Sequence, residues 1–195
     1  MKIGVTGNIG SGKSVVCELL KIHGIPVYNA DKEAKRLNDS SPVIHEKLIH
    51  HFGKEIYVGN KLDKNKFAQL IFNDPEKLSL ANSIIHPEVA KDFAVWAASK
   101  NNYPIVALEA AVLFEGNFHH YVDKTITVYA PLELRIARAS QRDNVPIEKI
   151  KEREKNQIPG EEKIKMADFV IYNDEKHPLI LQVSNLLKQL GPIKE

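Results

Sequence analysis

Gly7-Asn8-Ile9-Gly10-Ser11-Gly12-Lys13-Ser14 satisfies G-x-x-x-x-G-K-[ST] at every fixed position. Each fixed residue has a chemical reason. The glycines permit a tight turn whose main-chain N–H groups all point inward on a phosphate-sized anion, and a helix starting there adds the positive end of its dipole. Lys13 is placed to reach the β- and γ-phosphates of a nucleoside triphosphate, and the Ser14 hydroxyl to ligate Mg²⁺. The motif also needs a strand before it and an amphipathic helix after it. Residues 3–6 are β-branched and apolar, and Val15, Val16, Leu19 and Leu20 recur at helical spacing within residues 13–23.

Phosphoryl transfer needs further groups beyond the cradle. Asp31 follows the second apolar run, residues 25–28, and has two readings: a carboxylate that receives or orients an acceptor hydroxyl's proton, or the N-cap of a helix over residues 32–37. Glu109 ends the buried run Val106-Ala107-Leu108, where an acid could order metal-bound water, and Glu115 follows Val112-Leu113-Phe114. Arg135, Arg138 and Arg142 share one helical segment, the last two on one face, and Arg153 and Gln157 repeat that spacing. They read either as cations that close over a transferred phosphoryl or as a solvated face pairing with Glu148, Glu152 and Glu154.

Several other chemistries are excluded. No Asp is followed three residues later by Gly, so a GTPase switch is missing, and Asn60-Lys61-Leu62-Asp63 mimics a guanine-reading motif outside its strand-end context. Asp63 reads instead as the N-cap of a helix carrying Phe67, Leu70 and Ile71. The eight histidines, including His50-His51 and His119-His120, lack the spacing of a zinc site. Lys and Arg total 27 against 25 Asp and Glu, which supplies no electrostatic mandate for nucleic acid or a membrane surface. The single Cys17 reads as a small apolar helix residue, consistent with a reducing compartment. With no signal-peptide core and no 18-residue apolar run, a cytoplasmic protein is expected, as a monomer or weak homo-oligomer.

These groups need a scaffold that brings them together. Apolar runs at 3–6, 25–28, 105–108, 125–128 and 169–171 alternate with helical patterns at both ends of the chain, including one after Pro131 and a closing one over 179–190. The expected fold is α/β: a three-layer, P-loop NTPase-type parallel sheet, with an inserted helical acceptor-binding domain and a helical lid. Residues 1–31 and 104–195 form the nucleotide-binding core, with the lid at about 142–165, and residues 32–103 are mainly helical. Breaks are expected at Ser40-Ser41-Pro42, Gly59-Asn60 and His86-Pro87. Tyr28, Phe52, Phe67, Phe72, Phe93 and Trp96 are expected mostly in the core, with one or two available to an adenine pocket.

Taken together, the chain resembles the dephospho-CoA kinase family. Residues 3–14 are similar to the family opening I-G-L-T-G-G-I-G-S-G-K-S, with Asn8 at the second Gly of its G-G pair. Asn29-Ala30-Asp31 resembles D-A-D, whose last Asp is the family's proposed base; Ile85-His86-Pro87 matches its H-P element; Leu113-Phe114-Glu115 matches the tail of P-L-L-F-E, with Ala111 where Pro often stands. Gln141-Arg142-Asp143, the Arg153 to Gln157 spacing and the strand Ala167 to Asn173 continue the likeness. The resemblance implies transfer of the ATP γ-phosphate to the ribose 3′-hydroxyl of dephospho-CoA. It implies Asp31, Lys13 and Arg142 as catalytic residues. Asn8, Ile9, Gly10, Ser11, Gly12, Lys13, Ser14, Val15, Arg138 and Arg142 would bind ATP, with Mg²⁺ on Ser14. Thr6, Asp31, His86 and Glu115 would bind the acceptor. Two rivals are another small-molecule or nucleoside monophosphate kinase, and a nucleotide-gated binding protein without phosphoryl transfer.

Overall fold

A computed structural model of the chain describes residues 1–71 and 74–191; Phe72 lies outside the described residues. The elements run β1 (Lys2–Thr6), α1 (Lys13–Ile22), β2 (Val27–Asn29), α2 (Ala30–Ser40) and α3 (Pro42–Phe52). Then come β3 (Tyr57–Val58), β4 (Lys61–Leu62), α4 (Lys64–Ile71), α5 (Pro75–Ala98), β5 (Val106–Glu109) and β6 (Lys124–Tyr129). The chain closes with α6 (Leu132–Asp143), α7 (Ile147–Glu154), α8 (Gly160–Met166), β7 (Phe169–Tyr172) and α9 (Leu179–Leu190). Two compact units result: Met1–Asn29 with the chain from Trp96 onward, and Ala30–Val95.

The first unit is built on a five-stranded sheet in the order β2-β5-β1-β6-β7, every pairing parallel. Parallel strands require crossovers that return the chain to the same end, so helices flank the sheet and every strand is apolar enough to be buried. Val16, Cys17 and Leu20 of α1 and Val183, Leu186 and Leu187 of α9 bury against Ile3, Val5, Ala107, Ile126, Val128 and Ile171. α1 stops where the sequence places a glycine: Gly24 takes φ 76 and its N–H donates to Lys21 O at 2.9 Å. The second strand starts two residues later than its apolar run. The Ile25 N–H is spent on Leu20 O (3.0 Å), closing α1, and Pro26 has no N–H to give, so the ladder begins at Val27 and extends to Asn29.

In the second unit Ser41 caps α3, accepting from the Ile44 N–H at 3.3 Å, with Pro42 in the first turn. The expected break at Gly59-Asn60 is present between α3 and α4, as the turn of an antiparallel hairpin between β3 and β4 with Gly59 at φ 61. The one expected at His86-Pro87 is not: α5 runs through Pro87. An internal proline costs about 3 kcal/mol. Ile84, Ile85, Val89 and Phe93 all bury along α5, at roughly 1.5–3 kcal/mol each, so packing on both sides of the proline outweighs the missing bond. Among the described residues no helix is long and apolar enough to cross a membrane.

Asp63 behaves as a cap and not as a base reader. Its Oδ1 accepts from the N–H groups of Asn65 and Lys66, both at 3.1 Å. Asp63→Ala is therefore expected to lower stability by about 1 kcal/mol in urea titrations. ATP-versus-GTP preference in steady-state assays should not move.

Candidate active site

Because all five strands of the sheet run the same way, their carboxyl ends share one edge, the edge where open α/β sheets bind ligands. Glu109 ends β5 in register with Val5 on one side and Asn29 on the other. The loop from β1 to α1 therefore leaves the sheet beside Glu109 and Asn29. Gly10 runs at φ 77, and a Cβ there would lie 2.0 Å from Arg135 O; Gly12 runs at φ 89, and a Cβ would lie 2.0 Å from Asn173 Nδ2. Only glycine meets both demands, conformation and clearance.

The loop amides divide into two groups. Those of Gly10, Gly12, Lys13 and Ser14 have no hydrogen-bond partner among the described residues, and α1 has no side-chain cap at Gly12. A ring of unengaged N–H groups at a helix start is an anion site. The expectation that every loop amide turns inward needs correction. Ile9 N–H donates to Gln157 Oε1 (2.9 Å), and Ser11 N–H donates to Asn8 O (3.0 Å), so the first half of the loop is held by protein.

A cavity of about 450 Å³ opens over the loop, lined by Asn8, residues 10–15, Arg138, Arg142, Asn173 and Leu179. Ile9 is not part of that lining. It packs instead on Ile136, Ala139 and Ile150, because its side chain faces the apolar seam between α6 and α7. Thr6 is buried, its hydroxyl donating to Ala111 O at 3.4 Å. Glu115 Oε1 accepts from the Ile158 N–H and from Lys163 Nζ, both at 2.9 Å, so this carboxylate fastens the start of α8. Asp31 and His86 belong to the second unit, both half-buried. Asp31 lies inside the first turn of α2, which begins at Ala30, so it is not the N-cap; there its charge complements the helix dipole. Burial pushes the His86 imidazole down, and the Asp31 carboxylate opposes that shift.

Charge at the sheet edge is tightly arranged. Lys13 Nζ meets Glu109 Oε1 at 2.6 Å, and Asn29 Nδ2 donates to Glu109 Oε2 at 2.7 Å. Arg135 does not join the phosphate-facing cations. It is 2 % exposed, forms a two-pronged pair with Glu154 (2.8 Å on each prong) and gives its Nε–H to Ala130 O. Desolvating a guanidinium is costly unless every donor is met, which fixes it in place. Arg138 reaches Asn173 O (2.9 Å) and Glu175 Oε1 (3.0 Å). Arg142 and Arg153 both pair with Asp143, and Arg142 is 60 % exposed. An exposed pair of that kind is worth under about 1 kcal/mol, so a phosphate can displace it readily.

Asn173, Leu179 and Glu154 were not assigned to the site from sequence. Asn173 was within reach of that reading, since it follows β7 and every carboxyl end of a parallel sheet meets the same edge. Glu154 sits in a charge-rich helix and nothing in its surroundings along the chain marks it as half of a buried pair.

Cys17 lies one helical turn beyond Lys13, and burial first, then the neighbouring Glu109 carboxylate, push its thiol up to about 12. A raised thiol contributes stability that is fully present below its unfolded value of 9.0 and is lost as pH climbs through about 12. The alkaline limb of a pH–stability profile, read by urea unfolding between pH 8 and about 11, should therefore fall more steeply in wild type than in Cys17→Ala.

The family model for dephospho-CoA kinase matches residues 1–178. A dephospho-CoA kinase of Bacteroides fragilis is 44 % identical over 187 residues, covering 96 % of this chain and 91 % of that protein. Among solved structures, a Thermus thermophilus protein superposes with a TM-score of 0.84 at 36 % identity, covering 98 % of both chains. A dephospho-CoA kinase from Campylobacter jejuni gives 0.68 at 26 % identity, covering 97 % of this chain and 98 % of its own.

Proposed function

Because the chain belongs to the dephospho-CoA kinase family and so transfers the ATP γ-phosphate to the ribose 3′-hydroxyl of dephospho-CoA, we propose that it does so over the cavity of the first unit, with Lys13, Asp31 and Arg142 as the catalytic groups. The observation that carries this assignment is the four unengaged amides of Gly10, Gly12, Lys13 and Ser14, facing a cavity that two arginines also line.

The triphosphate occupies the amide ring, and Lys13 exchanges Glu109 for a phosphate oxygen. Arg142 gives up Asp143 to meet the charge that builds on the equatorial oxygens of the transferring group. Asp31 receives or orients the proton of the attacking 3′-hydroxyl, with His86 and the second unit holding the acceptor. Thr6 and Glu115 act on the acceptor through the backbone they hold, at Ala111 and Ile158. The α7–α8 segment serves as the lid that keeps water from the phosphate.

Ser14 would hold the Mg²⁺ that accompanies ATP, with the Glu109 carboxylate at the same sheet edge, and the ion would supply neutralisation of phosphate charge. The single thiol, buried and unbridged, supports placing the enzyme in the reducing cytoplasm.

A coupled ADP-release assay over dephospho-CoA, adenosine and AMP tests the acceptor: turnover should be dominated by dephospho-CoA, and preference for AMP would transfer the assignment to a nucleoside monophosphate kinase. In that assay Asp31→Asn should lower kcat by about 10²–10⁴-fold with the ATP KM nearly unchanged. Arg142→Ala should lower kcat by about 10²-fold. An effect confined to the dephospho-CoA KM would make Arg142 a binder of acceptor instead.

A further inference from the structure

The nucleotide-facing half of the phosphate loop begins at Gly10, and the two residues before it are tied down with unusual completeness. Asn8 is 4 % exposed. Its Nδ2 gives one N–H to Glu154 Oε1 (3.0 Å) and the other to Ile158 O (2.9 Å). Glu154 in turn takes both prongs of Arg135, whose Nη1 also reaches Ile9 O at 3.4 Å. The Ile9 N–H closes the circuit on Gln157 Oε1, one residue before Ile158. Thus a side chain and a peptide unit of the loop, one buried arginine and the chain between α7 and α8 form one hydrogen-bonded ring.

We propose that Asn8 is a positioning residue for phosphoryl transfer: its side-chain amide locks the phosphate loop to the chain that ends the lid helix α7, fixing the loop amides before nucleotide arrives. This rests on the placement of the triphosphate in that loop. Asn8 is suited to the task because one amide group supplies two N–H donors to two acceptors that belong to different groups, a carboxylate and a carbonyl. An aspartate of the same shape would set a second carboxylate against Glu154 and face Ile158 O with no donor. A glycine, the residue of the family pattern at this position, would leave the loop joined to the segment only through Ile9. A loop that must be ordered on binding weakens ground state and transition state alike, so the loss falls on KM and not on kcat.

The test is steady-state kinetics on Asn8→Gly and Asn8→Asp, with a thermal melt of each and magnesium-ADP titration of wild type and Lys13→Ala. Asn8→Gly and Asn8→Asp should raise the ATP KM about tenfold or more, with kcat within about threefold and the dephospho-CoA KM unmoved. Asn8→Gly carries the same reading if the facing carboxylates of Asn8→Asp prevent folding. An unchanged ATP KM in Asn8→Gly, or a lowered melting temperature as its sole consequence, overturns the proposal. Equal magnesium-ADP binding by wild type and Lys13→Ala would remove the placement of the triphosphate, and the proposal with it; normal loss in Lys13→Ala with unaffected Asn8 variants rejects the positioning role alone.

Discussion

At Gly10 and Gly12 the main chain runs at φ 77 and 89, so close to the Arg135 carbonyl and the Asn173 amide that no Cβ would fit. That path is the constraint from which the rest of the site follows. It turns the amides of residues 10 and 12–14 away from protein partners and toward the cavity, at the positive end of α1. It can be held only if α6 and β7 approach the loop, which makes the order β1-β6-β7 in the sheet as necessary to the site as the motif itself.

Charge is distributed in two classes around this path. Lys13 with Glu109, Arg135 with Glu154 and Lys163 with Glu115 pair over short distances in largely buried settings. Each pair joins segments far apart in the chain, and breaking one would strand a charge in a poorly solvated place. Burial pushes the Lys163 ammonium down, with the Glu115 carboxylate opposing. Arg142, Arg153 and Asp143 form the other class, exposed and weakly bound to one another. A ligand with two or three negative charges can recruit the second class while the Arg135–Glu154 and Lys163–Glu115 pairs stay in place. Lys13 stands between the two classes, its ammonium paired with a resident carboxylate while the residue lines the open cavity.

The same division explains which readings of the sequence matched the structure. Residues whose role is local were visible in the chain itself: Gly24 ending α1, the break at Ser40-Ser41-Pro42 before α3 and Asp63 starting α4 act on neighbours within four residues. Pro87 misled because a local rule, that proline ends helices, was overridden by the apolar face of α5 on either side of it. Arg135 and Arg138 look alike along α6, three residues apart. One is buried beneath the phosphate loop and the other borders the cavity, and that difference depends on what packs against α6.

The amino-acid sequence alone determined that this chain makes a phosphate-binding loop between a strand and a helix and that the sheet is parallel, and its resemblance to a known family implied an ATP-dependent kinase. The first two properties follow from short-range chemistry: glycine conformations, apolar periodicity and a spaced lysine and serine. Only the tertiary structure decided that Glu109 is the partner of Lys13, that Glu154 is held by Arg135 and Asn8, and that Asn173 closes the cavity. Each of those joins residues 19 to 162 positions apart, and a contact between distant residues is set by how whole elements pack, which no spacing along the chain records.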